Sequence, residues 1–136
     1  MAIVCAVEGE KWEKLVNFAV EEAKIRGEKI YFLHCVEVPK LGQMVAEDVL
    51  EDVAEKIGRE VLEKSAEVAK AKGVEFETVL SQRKDVARFI IEFADKVNAS
   101  MIVVATRRKT KTGKLVLGSV AQEVILNARQ PVVCLK

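Results

Sequence analysis

Two short segments of the 136-residue chain carry residues able to hold a ligand. The first runs from Ala105 to Ser119, ends in Gly118-Ser119, and includes Arg107, Arg108, Lys109, Lys111 and Lys114. If Ser119 opens a helix, the unpaired N–H groups of its first turn and the helix dipole favour a negative charge. Gly118 lets the chain come close to a ligand, and the Ser119 hydroxyl either donates to a phosphate or caps the helix. The five cations either reinforce anion binding or form a solvated surface loop. The second segment, Glu8-Gly9-Glu10, interrupts an apolar run and offers carboxylates that accept hydrogen bonds. A P-loop is excluded. Leu115 stands where Ser or Thr must follow Gly113-Lys114, and Arg108 stands where the first glycine is required.

Other reactive groups are sparse. The one histidine, His34, lies in an apolar stretch directly before Cys35. Neighbours on a strand point to opposite faces, so these two cannot share a metal. His34 reads as a histidine satisfied by a backbone carbonyl rather than as a general base. Cys5, Cys35 and Cys134 form no CxxC pair and read as buried, reduced thiols. No GxSxG elbow is present, and metal would enter only through a ligand's phosphates. Enzymatic activity beyond slow ATP hydrolysis is not expected.

Composition narrows the classes further. Lys plus Arg minus Asp plus Glu is 22 − 21 = +1, without the global basic charge of a nonspecific nucleic-acid binder. The basic segment also has no interleaved aromatic residue on which a base could stack. Met1 to Val7 is the longest apolar run, against the ~20 residues that cross a bilayer. It lacks a charged leader and a small-residue cleavage site, so a cytoplasmic domain is expected, with neither membrane nor nucleic acid as partner.

The elements that must position these groups alternate in type. Strand signals cover Ala2–Val7, Lys29–Val38, Val74–Leu80, Met101–Ala105 and Val132–Leu135. Helical stripes lie between them. Leu15, Val16, Ala19, Val20 and Ala23 form the first, closed by Gly27, and a long second stripe ends at Gly73. Val86, Phe89, Ile90, Phe93 and Val97 form a third, with Asp85 near its start, and Ser119 opens the fourth. This order predicts one α/β domain over residues 1–136: a doubly wound, five-stranded parallel sheet with helices on both faces. Ligands of such sheets collect beyond the carboxyl ends of the strands, where the strand order reverses.

The five-stranded alternation, the run MIVVAT, the phrase LVLGSVAQEVI and the closing NARQPVVCLK resemble a universal stress protein domain, over nearly the whole chain. The resemblance implies the adenine nucleotide alpha hydrolase-like fold, strand order 3-2-1-4-5, and a small regulatory protein of the stress response. Some members bind ATP through G-x-x-G-x9-G-[S/T] in this same connection, with an Asp after strand one on adenine or ribose. Carried over, Gly118 and Ser119 match, the two earlier glycines fall on Ala105 and Arg108, and the acid falls on Glu8. The nucleotide site so implied is Glu8, Thr106, Arg108, Gly118 and Ser119, with ATP or AMP and Mg as ligand. Arg108 either pairs directly with a phosphate or fills the pocket. The resemblance also implies a homodimer through the C-terminal strand, a short apolar edge that a second copy would cover. The alternative is a dimeric interaction module with a vestigial pocket and an unknown protein partner.

Overall fold

The structure, a computed structural model, describes residues 1–8, 12–37, 44–106 and 117–136, of which 37 and 44–52 by backbone alone. Arg107, Arg108, Lys109, Lys111 and Lys114 lie outside the described residues, as do Gly9, Glu10, Val38 and Pro39. The elements follow in the order β1 (Ala2–Ala6), α1 (Trp12–Arg26), β2 (Lys29–Glu37), α2 (Met44–Ala71), β3 (Phe76–Arg83), α3 (Val86–Lys96), β4 (Ala99–Ala105), α4 (Ser119–Asn127) and β5 (Val132–Leu135). All pairings are parallel, in the expected order β3-β2-β1-β4-β5.

β1 sits at the centre and every one of its residues is buried. Its odd residues Ile3 and Cys5, with Val7, meet Leu15, Val16 and Ala19 of α1 and Leu62 of α2. Its even residues Val4 and Ala6 meet Ile90 of α3 and Val124 of α4 on the other face. A strand covered twice needs apolar side chains at every position, which is why AIVCA does not alternate. β3 departs from the sequence reading. It begins two residues later, at Phe76, and runs on to Arg83, because its ladder with β2 continues through Val36↔Gln82 and Glu37↔Arg83. Main-chain pairing extends there past the last apolar signal.

The helix ends are set locally. Gly27 and Gly73 take the left-handed conformation that closes α1 and α2 (φ 66° and 70°), and Asn98 does so after α3 (φ 53°). Asp85 caps α3 by accepting from Arg88 N at 3.1 Å.

All three cysteines are thiols. Cys5 is fully buried, and burial pushes its pKa up to about 12. Cys35 and Cys134 are only half-buried, which corrects the expectation of three buried thiols. Cys134 lies on an edge strand with a single neighbour, so the sheet covers it less fully.

Candidate functional site

The chain leaves β1 and β4 toward opposite faces of the sheet. α1, following β1, joins α2 over one face, while α4, following β4, joins α3 over the other. Because β1 and β4 are neighbours, their carboxyl ends border the crevice that such divergence opens. The β1–β4 ladder ends at Cys5↔Val103, so Glu8 follows β1 and Thr106 follows β4 beyond the last paired residues. Glu8 is exposed and Thr106 is half-buried.

Thr106 is held by β5. Its N–H donates to Leu135 O at 2.9 Å and its hydroxyl donates to the same oxygen at 3.2 Å. With that proton committed, Oγ1 offers a ligand only an acceptor. Ala105 is the last residue of β4 and pairs with Leu135, so its backbone is that of an ordinary strand. A glycine's freedom is not needed at that position.

α4 begins at Ser119, and the residue in the cap position is Gly118 (φ −66°, ψ 159°), whose carbonyl accepts from Gln122 N at 3.0 Å. As a glycine, Gly118 supplies no side-chain acceptor to the first turn. Of the two roles open to Ser119, capping is therefore not the one it performs. It is the first helical residue, exposed at the mouth of the connection. The first N–H groups of a helix have no partner within the helix, and the dipole adds partial positive charge at that end. Glu8 thus follows β1, Thr106 follows β4, and Gly118 and Ser119 start α4, whereas Arg108 falls outside the described residues.

Below this group the exit of β1 is tied to β2. Val7 donates to Leu33 O at 2.8 Å, and His34 Nδ1 lies 2.7 Å from Val7 O. The expected carbonyl partner of His34 is therefore present. What local spacing did not reveal is that this carbonyl belongs to the residue just before Glu8. Nor did it reveal Gly58, which lies in mid-α2 directly against the histidine ring. No local pattern marks either contact.

Among the described residues, no group of three or more His, Cys, Asp or Glu side chains is placed to hold a metal ion. Among the same residues, no helix is long and apolar enough to cross a membrane.

An all-parallel sheet in the order β3-β2-β1-β4-β5, with helices on both faces, defines a doubly wound α/β protein. The comparisons are more specific. The family model of the universal stress protein family matches residues 1–136. A universal stress protein of Methanocaldococcus jannaschii is 33% identical over 121 residues, covering 87% of this chain and 71% of that one. The chain belongs to the universal stress protein family. The solved structure of a universal stress protein from Archaeoglobus fulgidus is similar with a TM-score of 0.78 at 37% identity, covering 100% of this chain and 98% of that one. A universal stress protein from the same organism, solved in complex with dAMP, is similar with a TM-score of 0.73 at 34% identity and the same coverage.

Proposed function

We propose that this protein is a small stress-response regulator that binds an adenine nucleotide, ATP or AMP, at the β1/β4 switch point. The observation that carries the reading is the start of α4. Its cap position is a glycine without a side-chain acceptor, and it is the next described element after β4. The dAMP complex of a 34% identical relative with the same fold supports it. The residues fit such a guest. The amides at Gly118 and Ser119 lie under the phosphates, the Ser119 hydroxyl adds a donor, and Glu8 accepts from the ribose hydroxyls. Thr106 contributes an acceptor, and Arg108 supplies a counter-charge from the connection. Mg would be carried on the phosphates.

Thermal unfolding with AMP, ADP or ATP-Mg tests this. At a hundredfold excess over the dissociation constant, a nucleotide is expected to stabilise by about 2.7 kcal/mol. Glu8→Gln is expected to weaken AMP about tenfold, in keeping with the ~1.5–3 kcal/mol range for a hydrogen bond to a charged group. Melting curves unmoved by all three nucleotides would refute the reading.

A second reading, compatible with the first, is self-association through β5. The two edges of the sheet differ. β3 is guarded by charge: Lys29 pairs with Glu77 at 2.8 Å, which holds that carboxyl below its usual range, and Arg83 ends the strand. β5 offers Val132, Val133, Cys134 and Leu135, all half-buried, paired on one side only and without a charge. An apolar edge of this kind invites a second copy. Light scattering is expected to give a species of about 30 kDa, two copies of the 15.1 kDa chain. Val133→Lys is expected to return it to the monomer mass. A wild-type mass that stays at one chain across concentrations rules this association out.

A further inference from the structure

His34 lies outside the set of residues assigned to the ligand, yet its ring is held from two sides. Nδ1 lies 2.7 Å from Val7 O. A carbonyl only accepts, so Nδ1 carries its proton whether the ring is neutral or charged. On another side the ring meets α2: a Cβ at Gly58 would stand 2.5 Å from His34 Cδ2 and 3.0 Å from Nε2. The ring therefore fills the space between the exit of β1 and the helix over it.

The grip falls on a critical peptide. The β1 ladder with β2 ends at Ala6↔Leu33. Beyond it, Val7 is held at both main-chain polar groups, its N–H by Leu33 O and its C=O by the His34 ring. The Val7 carbonyl and the Glu8 N–H share one planar unit. Fixing that carbonyl fixes the direction in which Glu8 leaves the sheet.

The geometry points to His34 as the positioning residue of the site: its Nδ1–H orients the Val7–Glu8 peptide and so aims Glu8 at the β1/β4 crevice. This rests on the proposed role of Glu8 in nucleotide binding, and the test separates the two. His34→Leu keeps bulk and loses the donor, whereas His34→Asn keeps an N–H where Nδ1 stands. Amide hydrogen exchange at Val7 and Glu8 is followed by NMR without ligand, and AMP affinity is followed by calorimetry.

In His34→Leu, exchange at Val7 is expected to rise about tenfold relative to Val4 and Ile102, with AMP bound about tenfold more weakly. His34→Asn is expected to stay near wild type in both. Should His34→Leu fail to fold, His34→Ser takes its place, since it lacks both the reach and the ring. Nitrogen shifts of neutral wild-type His34 are expected to show the proton on Nδ1.

Three results would overturn the inference: the proton on Nε2, unchanged Val7 exchange in the donor-less variant, or faster exchange with AMP affinity intact. If wild type takes no AMP, the nucleotide reading falls. The exchange data alone then decide whether His34 orients the exit of β1.

Discussion

Gly58→Ala is expected to destabilise the protein by about 1–3 kcal/mol, the range for overfilling a packed interior. The sign is the informative part. Gly58 lies inside α2, where alanine in place of glycine ordinarily favours the helix by about 1 kcal/mol. Here the added Cβ would stand 2.5 Å from His34 Cδ2, closer than carbon atoms approach without something moving. Leu80 Cδ1, at 3.0 Å, is the end of a flexible side chain and can swing away. The imidazole cannot yield as cheaply, because its Nδ1 is bound to Val7 O at 2.7 Å on β1. Relief therefore comes from breaking that bond or from lifting α2 off the sheet, and each costs more than the helix gains. Chemical denaturation of Gly58→Ala beside wild type checks this. His34→Ala in the same background is expected to recover most of the loss, because it removes the atoms that collide. A stabilised Gly58→Ala would show that the ring and the helix are not in contact.

Phe32→Ala is expected to cost more, about 3–5 kcal/mol, the range for truncating a buried aromatic residue. At roughly 4 °C per kcal/mol for a chain of this size, the melting temperature falls by roughly 12–20 °C. Phe32 is the largest fully buried side chain among the described residues. It stands on β2 between Cys5 of β1 and Thr78 of β3, in the cluster shared by α1 and α2. Its ring lies 6.2 Å from that of Phe76, so truncation also removes an aromatic contact. The strands on both sides are held by ladders that cannot close the cavity without losing main-chain hydrogen bonds. Phe32→Leu, which leaves a smaller void, is expected to lose less than half as much. Equal losses for the two variants would mean that volume is not what this position supplies.

These two positions separate what is local in this chain from what is not. The alternation of strand and helix was legible because burial imposes a period on each segment separately: continuous for β1 and β4, near four residues for α2. Asp85, Gly27 and Gly73 were legible for the same reason, since a helix end is satisfied by residues next to it in sequence. Ser119 was legible as a helix start but not in its role, because whether it or Gly118 occupies the cap depends on how the connection enters α4.

The sequence by itself determined the order of elements, the apolar centre of the sheet, and the glycine-serine start of α4. The tertiary structure decided which groups meet. Thr106 gives its proton to Leu135, His34 takes the carbonyl beneath Glu8, and Gly58 makes room for that ring. Each of these joins residues more than twenty positions apart. Periodicity records which face of a segment is buried, whereas the partner waiting on that face is chosen only when the sheet assembles.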